Sequence, residues 1–423
     1  MYFTPKPENI FETFLEVYYA ECRKKAPQIE AIAGKWKFED LIPGMSDFDT
    51  RFICSNQTTD ADWCKMSMAV GMVHLELCRE HPEWARILEH LPGVNPTWDE
   101  MQQEPYYYPE YRQWSLYRSS NSHDLEKTIR VLDNRPWDLK DEYFFLKKFL
   151  SFYGPYNRGI DPAINLGEFE NKYPLHSRAM HYFTPPVQAA VSILERRPVK
   201  GKLESLQMAQ RMFPEIKVFD RIAEMLQVHY ELPHLYKDPA LGDFEQELQQ
   251  ALDIIWEKLR TAITCVPDAG RMTAQEVKKE INSVPISPLM ALFDSSKFCR
   301  LFKGRLYFYV NAPAHFDNIW LIQNELSRCG AMFYRSPFQI YWKAVHGQEL
   351  NDPDEITRRL GQEGILTVQE VQDVLTFSRL TPGTWKDGAE ISIAREIECV
   401  FDSIFIALSK VKRDMIAREG GNP

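Results

Sequence analysis

The spacing of apolar residues changes period twice within the first 81 residues, and no other feature constrains the fold as strongly. From Asn9 to Lys25, Phe11, Phe14, Leu15, Tyr18 and Cys22 recur at three- and four-residue steps, which predicts an amphipathic helix with Asn9 as N-cap and Pro27 closing it. Ile29 to Ala33 reads as a short strand. Lys35 to Ser46, with Pro43 and Gly44, reads as a loop, and Asp47 to Cys54 alternates as a second strand. Asp62 to His81 returns to helical spacing, with Met66, Ala69, Val70, Val73 and Leu77 inward. The order helix, strand, loop, strand, helix demands an α/β unit in which a small sheet is covered by helices.

Beyond this unit, Asn95 to Pro109 is a loop rich in Pro, Tyr, Glu and Gln, and Tyr111 to Arg118 reads as a returning strand. From Leu125 helices dominate: Asp141 to Tyr153, Pro186 to Arg196, Leu203 to Met212, Lys217 to His229 and Asp243 to Ile263, separated by Pro and Gly. Gly304 to Asn311 and Ala331 to Tyr334 read as strands among further helices, and Glu390 to Arg418 as a long amphipathic helix. The expected architecture is an α/β domain with a small mixed sheet over 1–124, a helical bundle over 125–285, and an α/β C-terminal part over 286–423. A chain of 423 residues suits two or three domains.

The formal charge of −10 argues against general nucleic-acid binding, which needs a basic surface, and is compatible with a small cationic acceptor, or with a metal-nucleotide complex held at one local site. No apolar run approaches the roughly 18 residues of a membrane span. The N-terminus lacks the basic and apolar segments of a signal peptide, so the expected location is cytoplasmic, without a membrane partner. The eight cysteines are scattered without C-x-x-C spacing and are expected to be reduced thiols.

Asp47 and Asp49 lie two apart, so a strand places both carboxylates on one face and turns Phe48 into the core. Two close carboxylates repel unless a cation sits between them, and magnesium accepts such hard oxygen ligands together with water and a triphosphate. Arg51, two residues further on, shares that face. D-x-D by itself is a weak motif, most often a solvated surface pair. Its setting is more informative: Gly34 a dozen residues upstream, then Pro43-Gly44-Met45-Ser46-Asp47-Phe48-Asp49, an apolar strand and a long helix.

On these residues the chain resembles the DNA polymerase β-like nucleotidyltransferase superfamily, which includes the aminoglycoside and minimal nucleotidyltransferases. The likeness covers about the first 120 residues. It implies that Asp47 and Asp49 bind Mg2+ or Mn2+, that the Gly34 backbone approaches the phosphates, and that a nucleotidyl group, AMP from ATP, passes to an acceptor hydroxyl with release of pyrophosphate. Lys35 stands where the family has serine, and Lys35, Ser46 and Arg51 fall where a triphosphate would be contacted. The family's third carboxylate has no counterpart within Tyr111 to Arg118; Glu110 at its edge is the candidate, with Glu104 before it. A weaker echo lies at Tyr341 to Leu350. Two rivals stand beside this reading: a degraded member serving as a binding or scaffold protein, and a D-x-D glycosyltransferase, although only 46 residues precede the motif.

Other constellations carry plainer explanations. Lys35 and Lys37 have Glu39 and Asp40 as surface partners, Cys64, His74 and Cys78 suit a helix core better than zinc, and His176, Arg178 and His181 suit a polar helix face better than an acceptor site. The tyrosines at 106 to 108, with Tyr111, Trp114 and Tyr117, are expected mainly to pack, with one left to stack on a base. The P-loop, G-x-G-x-x-G, H-E-x-x-H and G-x-S-x-G motifs are absent.

Overall fold

The structure, a computed structural model, describes residues 10–43, 45–103, 108–120, 125–153, 164, 166–167, 173–232, 235, 237–284, 287–312, 318–382, 386 and 388–418. The first unit runs α1 (Ile10–Lys25), β1 (Ile29–Gly34), β2 (Thr50–Cys54), α2 (Asp60–Glu80), α3 (Trp98–Gln103), α4 (Tyr108–Tyr111) and β3 (Ser115–Ser119). Helices α5 (Leu125–Asp133), α6 (Leu139–Leu150), α7 (Leu175–Glu195), α8 (Lys202–Met212), α9 (Val218–Glu231), α10 (Leu241–Ala262) and α11 (Ala274–Ser283) follow. The chain closes with α12 (Pro288–Cys299), α13 (Phe302–Asn311), α14 (Asn318–Gly330), α15 (Ser336–His346), α16 (Pro353–Gln362), α17 (Val368–Leu380) and α18 (Glu390–Arg418).

The sheet order is β2-β1-β3, and β1 pairs antiparallel with both neighbours, Gly34 lying opposite Thr50 on one side and Ser115 on the other. The sheet is therefore antiparallel rather than mixed: β2 and β3 run the same way, but β1 separates them. Tyr111 belongs to α4, so the returning strand starts only at Ser115. One face of the sheet, with Ile32 and Phe52, packs on α1, α2 and the C-terminal helices in a common core that includes Phe14, Val70, Leu306, Tyr334 and Phe401. The other face, with Ala31, Ala33 and Ile53, packs on Trp98, Tyr111, Trp114 and Ile129. Helices α6 to α11 build a separate core around Phe149, Phe183 and Trp256.

The C-terminal part is helical among the described residues, which corrects the α/β expectation. Gly304 to Asn311 lies in α13, and Ala331–Arg335 is a π-helical turn joining α14 to α15. The run Leu306-Tyr307-Phe308-Tyr309 suits strand and helix alike, and the burial of Phe302, Arg305, Leu306 and Tyr309 at helical steps decides for the helix. Gly304 sits where α13 crosses α2: a Cβ on the facing Gly71 would lie 2.6 Å from the Gly304 carbonyl. Capping boxes at Thr59/Asp62 and Asp138/Asp141 open α2 and α6. Buried Arg300 fastens the end of α12 to α3 through two 2.6 Å hydrogen bonds to Glu100. Among the described residues no helix is long and apolar enough to cross a membrane, and all eight cysteines are free.

Candidate functional site

Asp47 and Asp49 occupy the extended segment that leads into β2. Lys35 N–H donates to the Asp49 carbonyl at 3.1 Å, so the β1 ladder continues past Gly34. Along this segment Ser46, Phe48 and Thr50 are buried, while Asp47 and Asp49 are half-buried. Phe48 turns into the core against Phe11, Phe14 and Tyr117, with ring centroids at 6.0, 5.1 and 5.1 Å. The two carboxylates turn the other way, into a cavity of about 730 Å³.

Three walls surround that cavity. The floor carries Lys35, Trp36, Ser46, Asp47, Asp49 and Arg51. Helices α6 to α8 contribute Lys148, Arg178, His181 and Lys202, and the turn after α6 contributes Phe152. The segment after α2 and helices α13 and α14 contribute Arg86, Glu89, His90, Arg305, Glu325 and Arg328. Among the described residues eight Lys and Arg thus face four Asp and Glu, a basic pocket in an acidic protein.

Each cation is placed by its own element. Arg51, 6% exposed, donates to Asp49 Oδ1 at 2.6 Å and to the Thr50 carbonyl at 2.7 Å, while its Nε has no partner among the described residues. Lys35 Nζ stands 4.0 Å from Asp49 Oδ2. Arg86 donates to the Met45 carbonyl at 3.0 and 2.9 Å and to Glu89, and stacks on Tyr173 at 4.2 Å. Lys148 donates to the amide oxygens of Gln113 at 3.0 Å and Gln188 at 2.6 Å. Three ammonium groups gather over the buried Trp36 ring: Lys202 at 4.9 Å, Lys148 at 5.5 Å and Lys35 at 5.9 Å. Glu325 accepts from Arg305 at 3.1 Å and from Arg328 at 2.6 Å.

These charges set the ionisation of the pair. Burial would raise Asp47, but Lys202 and Arg86 outweigh it, against repulsion from Asp49, and hold the carboxyl below its ordinary range. Burial likewise opposes ionisation of Asp49, and the charge of Arg51, followed by that of Lys35, holds it well below. Burial, followed by the charge of Lys35, pushes the Lys148 ammonium down to about 7. Burial also lowers Lys202, against the pull of Asp47 and Asp49. Asp47 accepts no hydrogen bond from a described residue; Asp49 gives one oxygen to Arg51.

Asp47, Asp49, Lys35, Ser46 and Arg51 come together in this cavity. Ser46 also closes its own turn, its Oγ accepting from Ile42 N–H at 2.9 Å. Gly34 does not line the cavity. A Cβ there would fall inside the Tyr117 ring, whose hydroxyl donates to the Trp36 carbonyl at 2.8 Å. Packing under Tyr117 is by itself enough to require glycine here. Glu110 does not line the cavity either: its oxygens accept from Gln113 at 3.3 Å and Trp114 at 3.2 Å, although its charge acts on Arg51 and Lys148. Glu104, Gly44, Tyr106 and Tyr107 lie outside the described residues.

Arg178 and His181 reach the cavity, whereas His176 stacks on His229 at 3.8 Å. His74 is a core residue between the Tyr18 and Phe308 rings, its Nε2 3.2 Å from the His90 carbonyl. Lys37 pairs with Glu204. Sequence reasoning missed Arg86, Glu89, His90, Lys148, Lys202, Arg305, Glu325 and Arg328. They come from separate elements, and Arg305 sits in the segment read as a strand.

A divalent ion would find two ionised carboxylates here on one face. Among the described residues no three His, Cys, Asp or Glu side chains gather as a metal set. Two carboxylates completed by phosphate oxygens and water is a pattern magnesium commonly takes, and the free oxygens of Asp47 fit it. Compared with known protein families, with curated proteins and with solved structures, the chain has no match.

Proposed function

We propose that the protein is a divalent-metal-dependent nucleotidyltransferase that moves AMP from ATP to an acceptor hydroxyl. The acceptor oxygen forms a bond to the α-phosphorus, the bond from that phosphorus to the bridging oxygen breaks, pyrophosphate leaves, and the hydroxyl proton passes to solvent or a base. One observation carries the reading: Asp47 and Asp49 present ionised carboxylates side by side to a basic cavity of about 730 Å³.

Asp47 and Asp49 would hold Mg2+ or Mn2+. When bound, the ion stabilises charge on the transferred phosphoryl group and the departing pyrophosphate. Lys35, Lys148 and Lys202 crowd one indole and, with Arg51, receive the negative phosphates, which relieves the mutual repulsion of the ammonium groups. The burial of Arg51 and its bond to Asp49 hold that carboxylate in one orientation. Phe152, Phe298 and Trp320 line the same cavity and offer flat apolar surface to a base.

A second reading has its own support. Glu110 is bonded to Gln113 and Trp114, Asp49 is tied to Arg51, and no third acid joins the pair among the described residues. A site of this kind binds a nucleotide without turning it over. Pyrophosphate release from ATP with magnesium, across a panel of hydroxyl compounds, separates the two. Release that disappears in Asp47→Asn supports transfer. Magnesium-dependent binding with no release against any acceptor supports the silent binder.

A further inference from the structure

The charge balance of the cavity carries a statement about the acceptor. Among the described residues eight Lys and Arg oppose four carboxylates there. A magnesium ion and an ATP together bring a net charge of about −2, so positive charge remains uncompensated once both are bound. The surplus is local: among the described residues the wall formed by α6, α7 and α8 presents Lys148, Arg178, Lys202 and His181 to the cavity and no carboxylate.

Arg178 is the least compensated of these. It is 7% exposed, it donates through Nη1 to the Leu166 carbonyl, and its Nε has no partner among the described residues. No carboxylate among the described residues pairs with it. A guanidinium held this far from water with no counter-charge among the described residues is costly, and an anionic ligand removes the cost.

We propose that the acceptor is an anion, a hydroxyl compound bearing a phosphate or carboxylate group, and that Arg178 binds that group. This rests on the nucleotidyltransferase reading for the word acceptor; the anion site itself does not. A cationic acceptor, which the acidic composition alone would suit, would face the basic wall and be repelled.

Titration calorimetry on the full chain tests it, with glycerol 3-phosphate, glycerate and glycerol as probes, with and without the non-cleavable nucleotide α,β-methylene-ATP and magnesium. Binding of glycerol 3-phosphate or glycerate, but not glycerol, is expected, and which anion binds more tightly distinguishes phosphate from carboxylate recognition. Arg178→Gln should weaken binding at least about tenfold, and Arg178→Lys, which keeps the charge, should recover part of it. Thermal melts of both variants show whether the fold persists; should Arg178→Gln unfold, the comparison of Arg178→Lys with wild type decides. Binding of glycerol equal to that of the anions overturns the proposal. Full displacement of the anion by the nucleotide also overturns it, since the anion would then occupy the triphosphate position. Failure of the nucleotide to bind at all sinks the transferase reading, while the anion data stay interpretable.

Discussion

Gly34 was expected to approach phosphates and packs under an aromatic ring, so its replacement separates the two roles. A methyl group at 34 would fall inside the Tyr117 ring. Carbon atoms in contact settle at about 3.5–4.0 Å, so the ring must retreat by more than about 1 Å. Retreat is blocked, because Tyr117 is 7% exposed and its ring packs on Phe48 at 5.1 Å and Phe38 at 5.5 Å. Overpacking of this kind costs about 1–3 kcal/mol. Loss of the bond from Tyr117 to the Trp36 carbonyl adds about 1 kcal/mol. Gly34→Ala should therefore destabilise by about 2–4 kcal/mol, which for a chain of this size lowers a two-state midpoint by only about 2–5 °C. Denaturant unfolding is the better assay. Tyr117→Ala alone leaves a cavity costing about 3–5 kcal/mol; combined with Gly34→Ala, the new methyl enters that space. The double variant should fall short of the summed losses by at least about 1 kcal/mol. Strict additivity, or a Gly34→Ala loss below about 0.5 kcal/mol, refutes the packing argument and returns Gly34 to a ligand role.

Burial holds His74 and His176 neutral, each down at about 3, whereas an unfolded histidine titrates near ~6.5. Stability present above that value is lost as pH falls toward the folded value, because only the unfolded chain takes up the protons; at pH 5 the loss is about 2 kcal/mol per histidine. Urea midpoints that do not move between pH 7 and pH 5 would contradict neutral burial. The Lys148 ammonium, lowered to about 7, loses its charge as pH rises, so nucleotide affinity should weaken about tenfold by pH 8 if its cation contacts phosphate; Lys148→Met should remove most of that dependence, and an identical pH profile in the variant speaks against the contact. Arg300→Met takes two bonds from half-buried Glu100, which keeps the Thr97 N–H at 2.9 Å and the Lys412 ammonium at 3.8 Å, and should cost about 1.5–3 kcal/mol in denaturant unfolding; a loss under about 1 kcal/mol would mean the pair does not fasten the C-terminal helices to the first unit.

Local pattern made much of the site legible. Alternation through residues 46–50 placed Asp47, Asp49 and Arg51 on one side and Phe48 in the core, and the structure has that arrangement. The helices after Leu125 were readable because their apolar stripes repeat over many residues. The third wall of the cavity was not readable. Arg305 and Arg328 reach it only because α13 packs across α2 and α14 packs on α13, and nothing local in Gly304 to Asn311 separates a buried helix from a strand. Lys148 and Lys202 look like ordinary helix-surface lysines until Trp36 is brought beneath them. The antiparallel sheet was hidden for a similar reason, since the position of β1 between its neighbours is a tertiary fact.

The most direct measurement is calorimetric titration of α,β-methylene-ATP into the full chain with and without magnesium, repeated with Asp47→Asn/Asp49→Asn. The account predicts binding that requires magnesium in the wild type and loses that requirement, with a large drop in affinity, in the double variant. Equal binding by both proteins, or no binding under either condition, would contradict it.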